Sequence, residues 1–385
     1  MKLSDCHNIL DLRALAKRRL PSPMFHYLDG GADDEWTMRR NTAAFDDYEL
    51  MPNCLNDISA IDLSTTLLGR KLAWPVFLSP TGMSRLFHHG AEPAVARAAA
   101  AAGTLYTLST VATTSLEDIA ATSDGPKMFQ IYIFRDRGLT TELVQRCKAA
   151  KYHALCLTVD TPLAGNRERD RRTGMTLPPR FSLGSLWSFG LHPGWSLNLL
   201  LHPRVELANV AQRVGSLQTS TTSLIDYVNR QFDRTLSWRD VEWLTAQWNG
   251  PFVIKGLQSV ADAKHAADVG ATAVMVSNHG GRQLDGTPAP VDCIAAIVDA
   301  VGNRLEVILD GGVRRGTHVI KALALGAKAC SIGRAYLYGL ACGGQRGVEH
   351  ALSLLRSEIE RGFALLGCRS VGEVTRAHLI HRRSR

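Results

Sequence analysis

Eight short apolar, β-branched runs recur along this chain, most ending in Gly, Ser, Asp or Pro and most followed by a helical pattern. They lie at Pro75–Pro80, Thr104–Ser109, Met128–Phe134, Ala154–Asp160, Pro251–Lys255, Thr272–Ser277, Leu305–Asp310 and Lys328–Gly333. The segments Ala91–Ala102, Leu116–Thr122, Gly138–Ala150, Val260–Val269, Val291–Val301 and Thr317–Leu325 between them are amphipathic or alanine-rich. Several follow a helix-start signal, such as Ser115 with Asp118 or Ser259 with Asp262. Run starts fall roughly 20 to 35 residues apart, the spacing of βα units. Eight such units predict an α/β chain folded as a single closed (β/α)8 barrel. A doubly wound sheet also alternates, but it rarely needs eight units.

One gap is longer. Residues 161–250 form an insertion after the fourth strand, ending in a helix from Trp238 to Trp248. Residues 1–70 precede the barrel (71–366) as an N-terminal lid with helices at Leu10–Arg19 and Phe25–Asp29, and residues 367–385 follow as a frayed tail. At 385 residues and 45% hydrophobic content, one such domain has a sizeable core.

In a (β/α)8 barrel, chemistry collects at the C-terminal ends of the strands. Here those ends carry Thr81 and Gly82, Ser109, Gln130 and Tyr132, Thr158 and Asp160, Lys255, Ser277 and His279, Asp310 with Gly311 and Gly312, and Gly333 with Arg334. All eight strands contribute, which predicts an enzyme.

The net charge of +8 suggests nucleic acid only if the cations cluster. The dense runs are Arg167–Arg172, broken by Glu168 and Asp170, and the terminal His-Arg-Arg-Ser-Arg. A generally basic surface with a frayed tail is expected, attraction of anionic ligands or lipids being the alternative, and no nucleic-acid partner. The eight cysteines are scattered without a C-x-x-C pair, and no signal peptide opens the sequence. Reduced thiols of a cytoplasmic protein are expected, and no metal site.

Two loops suit a phosphate. Asp310-Gly311-Gly312-Val313-Arg314 follows strand seven and Gly333-Arg334 follows strand eight, so backbone amides and two guanidinium groups can meet one anion. After strand six, Ser277-Asn278-His279-Gly280-Gly281-Arg282-Gln283-Leu284-Asp285 sets a histidine three residues from an arginine at the barrel rim. That suits a base beside an anion clamp, with Asp160 from strand four as its orienting carboxylate.

These runs, with Tyr27-Leu28-Asp29-Gly30-Gly31-Ala32, Pro80-Thr81-Gly82, Leu108-Ser109-Thr110, Phe129-Gln130-Ile131-Tyr132 and Thr158-Val159-Asp160, resemble the FMN-dependent 2-hydroxy acid dehydrogenases and oxidases from about Asp11 to Leu366. The resemblance implies FMN as cofactor, His279 as base and Asp160 as its partner. It implies that Arg282, Arg167 and Tyr27 hold the substrate carboxylate, with Tyr132 at the hydroxyl or carbonyl oxygen. Lys255 is expected near flavin N1; Thr81, Gly82, Ser109, Gln130, Thr158 and Ser277 around the ring; and Asp310, Gly312, Arg314, Gly333 and Arg334 at the ribityl phosphate. Homotetramers are also expected on this ground.

The same resemblance bears on the electron acceptor. No cytochrome domain precedes the lid, so a haem-fused type is not expected. Gly82 stands where the soluble oxidases usually carry Ala and the membrane dehydrogenases Gly. Phe181–Pro203 contains no charged residue, includes Trp187, Phe189 and Trp195, and is flanked by Arg180 and Arg204. Gly184, Gly190, Pro193 and Gly194 interrupt it too often for a spanning helix. Residues 176–217 are therefore expected to lie in a membrane interface, an expectation that the likeness of Gly190–Leu197 to the membrane segment of mandelate dehydrogenase supports. Together these features predict a peripheral enzyme on the cytoplasmic face of the inner membrane, passing electrons to a quinone or similar carrier. A soluble oxidase using O2 is the alternative.

The substrate is expected to be an L-2-hydroxy acid. Val111 and Ala164 are expected to face its side chain, at places where glycolate oxidase, in the resemblance, carries Trp and Leu. Small residues there leave room for lactate, the favoured substrate, and for an aryl group as in mandelate.

Overall fold

The computed structural model describes residues 1–175, 180–202, 205–214 and 231–382. Its centre is a closed barrel of eight parallel strands: Val76–Leu78, Tyr106–Ser109, Lys127–Ile131, Ala154–Thr158, Phe252–Leu257, Ala273–Val276, Glu306–Asp310 and Ala329–Ile332, each paired with its neighbours in sequence and the eighth with the first. All eight coincide with the predicted runs, although Lys127–Ile131 starts one residue before its run and Phe252–Leu257 ends two residues past its own, and the (β/α)8 architecture stands. The strands are buried along almost their whole length, because helices cover the outside and side chains fill the inside. Helices start where the side chains can cap them: Ser115 accepts from Asp118 N, and Ser259 from Asp262 N.

The interior is filled by Phe77, Met128, Cys156, Val253, Met275 and Ile308. They form one cluster with Leu67, Leu68 and Leu72 of a short hairpin, Thr65–Leu67 with Arg70–Leu72. Leu68 N donates to the Glu306 carboxylate at 2.8 Å, at the start of the seventh strand. This part of residues 1–70 thus plugs the barrel floor. The lid proper is Ile9–Arg19, Ser22–Asp29 and Trp36–Ala43.

Two further differences from the sequence reading appear. The tail is not frayed through residue 382, since Leu379–His381 pairs antiparallel with Tyr48–Leu50; Arg383–Arg385 lie outside the described residues. The apolar insertion is two short helices, Leu183–Gly190 and Pro193–Leu201, divided where Gly190 ends one and Pro193 starts the other. Arg180 is described, whereas Pro203 and Arg204, with residues 176–179 and 215–230, lie outside the described residues.

Candidate active site

The C-terminal mouth of the barrel opens into a cavity of about 370 Å³. Thr81, Gly82, Ser109, Gln130, Thr158, Lys255, Asp310, Gly312, Arg314, Gly333 and Arg334 line it on the barrel side, with His279, Arg282, Arg167, Tyr27, Tyr132, Val111 and Ala164 above. Two of the predicted residues stand one layer back. Asp160 lies behind His279, and Ser277 is fully buried beneath the lining residues.

The histidine loop explains its own sequence. His279, Gly280 and Gly281 all have positive φ, at 58°, 65° and 71°. A Cβ on Gly281 would lie 2.5 Å from Met38 N, so only glycine lets the lid helix close on this loop. The left-handed turn sends the His279 ring back over the mouth, where Nδ1 meets Asp160 Oδ1 at 2.9 Å. Nδ1 then carries the proton toward the carboxylate, and Nε2 keeps a free lone pair. Burial pushes the Asp160 carboxyl up, but the His279 ring bonded to it and the Lys255 ammonium outweigh that and hold it below the ordinary range. Gln283 ties the same loop to the fourth strand's loop, donating to the Asp160 and Leu163 carbonyls at 2.8 Å each.

Cations crowd the opposite wall. The Arg167 and Arg282 guanidinium carbons lie 5.5 and 5.2 Å from the Tyr27 ring centre. Burial, then the positive neighbours Arg167 and Arg334, push the Arg282 guanidinium down to about 9. It stays cationic near neutrality, in a positive potential that an anion would relieve. Arg334 is lowered by burial as well, and both arginines are held by lid carbonyls: Arg282 by Tyr27 and Gly30, Arg334 by Leu28 and Gly30.

Deeper down, Lys255 Nζ lies 3.3 Å from Asp310 Oδ2 and donates to Ser277 Oγ at 3.1 Å. Burial opposes its charge, but Asp310 and Asp160 raise it well above the ordinary lysine range. Three buried polar atoms on lining residues, Gln130 Nε2, Thr158 Oγ1 and Ser331 Oγ, have no partner among the described residues. Unpaired groups of this kind cost free energy unless a ligand meets them. A planar heteroaromatic ring with edge acceptors, ending in a phosphate at Gly312, Arg314, Gly333 and Arg334, matches the floor and mouth. Gly312 has φ 78°, and a Cβ there would strike the Asn41 carbonyl at 1.9 Å, so the loop admits only glycine. FMN fits this set.

Sequence reasoning missed part of the wall. Phe87, Met175, Leu207 and Phe232 line the same cavity, and Phe232 packs edge-on against Tyr132 at 5.0 Å. They come from loops and the insertion, where an apolar residue has no local mark.

The comparisons agree with this geometry. A family model described as FMN-dependent dehydrogenase matches residues 16–381. Glycolate oxidase 1 of Zea mays is 41% identical over 98% of this chain and 96% of its own. The monotopic membrane protein (S)-mandelate dehydrogenase superposes with a TM-score of 0.94 at 36% identity, covering 98% of this chain and 99% of that one. A mandelate oxidase variant solved with (S)-mandelic acid gives 0.82 at 36% identity, over 97% and 98%.

Proposed function

The chain belongs to the FMN-dependent dehydrogenase family and is an FMN-dependent oxidoreductase of 2-hydroxy acids; from that premise we propose that it oxidises an L-2-hydroxy acid with an apolar side chain to the 2-oxo acid and passes the electrons to a membrane quinone. The observation that carries the reading is the meeting, in one cavity, of the His279–Asp160 pair with the arginines around Tyr27.

Arg282 and Arg167 clamp the carboxylate, fixing the carbon that reacts. Tyr132 and His279 flank the hydroxyl. Nε2 of His279 takes the proton as the substrate is oxidised, and Asp160 steadies the imidazolium that results. Bound FMN supplies the acceptor for the two electrons. Lys255 would supply a fixed cation beside the bound flavin, stabilising its reduced, anionic form. Asp310, an anion already paired with Lys255, suits the ribityl hydroxyls better than the phosphate. Arg314 and Arg334 hold that phosphate.

The side chain of the substrate meets Val111, Ala164, Met175, Leu207 and Phe232. Lactate, favoured by sequence alone, fills only part of this space. An extended or aryl group fills more, and its burial adds up to about 1.5–3 kcal/mol. Val111→Trp or Ala164→Leu should therefore depress activity on L-mandelate far more than on L-lactate. Anaerobic flavin bleaching against a panel of L- and D-2-hydroxy acids measures this and tests the whole reading. Equal losses on both acids would remove these two residues from the pocket, and no bleaching by any L-acid would remove the function.

Exposed apolar side chains support the membrane acceptor. Leu183, Leu186, Trp187, Leu191, Leu197, Leu200 and Leu201 of the insertion helices stand in solvent, while no helix among the described residues is long and apolar enough to cross a bilayer. Exposed apolar side chains gathered on two neighbouring helices suit lying in an interface. Leu186→Glu with Leu197→Glu and Leu200→Glu should move the protein from sedimenting vesicles to the supernatant, with bleaching unchanged. Wild-type protein that never sediments with vesicles would overturn the interfacial reading. A second reading, an oxidase using O2, is favoured by the likeness to glycolate oxidase; peroxide release would identify it.

A further inference from the structure

A second cavity, of about 400 Å³, lies beside the first, under the insertion helices. The loop Thr81–Gly90 builds both. Its first residues, Thr81, Gly82 and Met83, line the flavin cavity; Arg85, His88 and His89 line the second; Phe87 lines both. On one side the Phe87 ring stacks toward Tyr27, with centres 6.2 Å and planes 24° apart. One layer of aromatic side chain therefore divides the substrate chamber from the second cavity.

The other walls are the end of the first helix, with Arg18 and Arg19, and the helix Pro193–Leu201, with Trp195 and Leu199. Trp195 is pinned, since its Nε1 donates to the Leu86 carbonyl at 2.9 Å and its ring lies on Phe189 at 5.4 Å. The cavity thus pairs flat apolar walls with hydrogen-bond donors. None of Arg18, Arg19 and Arg85 makes an ion pair among the described residues, and the buried Nε of Arg85 has no partner there. His88 accepts from Gly90 N through Nδ1 at 3.0 Å, which leaves its proton on Nε2. Leu197, Leu200 and Leu201 beside the mouth are the exposed residues that suit a bilayer.

We propose that this cavity is the docking site of the electron acceptor, a quinone headgroup that enters from the membrane between the insertion helices and stacks against Trp195 with Phe87 at its back. The proposal rests on the membrane-acceptor reading above and gives that acceptor a place. Arg85 and His88 donate to the quinone oxygens. The uncompensated arginines favour the added electrons. The exchange balances: the hydroxy acid gives up two electrons and two protons in becoming the 2-oxo acid, and the quinone takes up two of each in becoming the quinol. The protons exchange with solvent at His89, an exposed ring stacked on His88 at 4.2 Å. Burial, then His89 and Arg19, push the His88 imidazolium down to about 4, so at neutral pH it acts as a neutral donor.

The test compares wild-type holoenzyme with Trp195→Ala, Arg85→Gln and the cavity-filling Leu199→Trp in detergent. Three quantities are measured: anaerobic bleaching by the hydroxy acid, steady-state reduction of a benzoquinone with one isoprenoid unit, and calorimetric binding of that quinone to oxidised enzyme. Bleaching should stay at the wild-type rate in all three variants. The quinone Kd and KM should rise about tenfold in Trp195→Ala and Arg85→Gln, the worth of one aromatic stack or hydrogen bond, and binding should be lost in Leu199→Trp. Wild-type quinone constants in all three variants would overturn the cavity alone. So would competition between quinone and hydroxy acid for the oxidised enzyme, or variants that lose only binding to anionic vesicles, the mark of a lipid phosphate site. A wild-type enzyme that binds no quinone and reduces only O2 would overturn the acceptor reading and the cavity with it.

Discussion

His279→Gln should keep FMN and lose about 10²–10⁴-fold in the rate of flavin reduction, the usual worth of a positioned general base. Glutamine preserves the length of the side chain and can still donate to Asp160, so the loop of left-handed residues from 279 to 281 keeps its shape. What disappears is the Nε2 lone pair above the cavity. The residues expected to hold the cofactor, Gln130, Lys255, Gly312, Arg314 and Arg334, line other parts of the cavity, so the variant should elute yellow and stoichiometric. Anaerobic stopped-flow bleaching under saturating hydroxy acid reports the step without the second half-reaction. Asp160→Asn should lose less, because it disturbs only the orientation of the ring and the charge that steadies it. Reduction of His279→Gln within a few-fold of wild type would remove the base from the assignment.

Much of this site could be read along the chain because barrel geometry makes it local. Every strand delivers its last residues to the same mouth, so Lys255, Asp310 and Arg334 were identifiable from their positions at strand ends alone. The His279–Asp160 contact spans 119 residues, yet it too followed from two strand ends facing one opening. Contacts made by the lid and the insertion have no such rule. Asn41 and Asn278 bond side chain to side chain in the interior, at 2.7 and 2.8 Å, and neither residue signals this in sequence. Gly82 is small because Val111 presses on it; a Cβ would meet that side chain at 2.6 Å. The hairpin at residues 65–72 has no mark in the sequence, where 65–70 read as lid, since three-residue strands carry too little pattern to show which end of a barrel they close. Phe87, shared by two cavities, is an ordinary apolar loop residue until its neighbours are known.

The lid's grip on the arginines gives the other large effect, expected for Asp29→Asn. The Asp29 side chain is 2% exposed. Arg13 binds it in a bidentate manner at 2.6 and 2.7 Å, Arg169 at 3.0 Å, and the Tyr338 hydroxyl at 2.7 Å. One carboxylate therefore joins the second helix to the first, to the insertion and to the C-terminal helix Arg334–Leu366. Breaking a buried pair by removing one partner costs about 3–5 kcal/mol. Because Tyr27, Leu28 and Gly30 supply the carbonyls that hold Arg282 and Arg334, the KM for the hydroxy acid should also rise. The pH dependence separates this from a general packing defect. Burial pushes the Asp29 carboxyl up, but the bonds from Arg13 and Tyr338 outweigh it and hold it at about 2, against about 3.9 in the unfolded chain. A lowered carboxyl stabilises the fold above the unfolded value, and that stabilisation is lost as the pH falls toward the folded one. It amounts to roughly 2–3 kcal/mol at pH 7 and about half of that at pH 3. The unfolding free energies of wild type and Asp29→Asn, measured in urea at both pH values, should therefore converge on acidification. A gap that stays constant between pH 7 and pH 3 would show that the carboxylate's charge does not hold the lid in place.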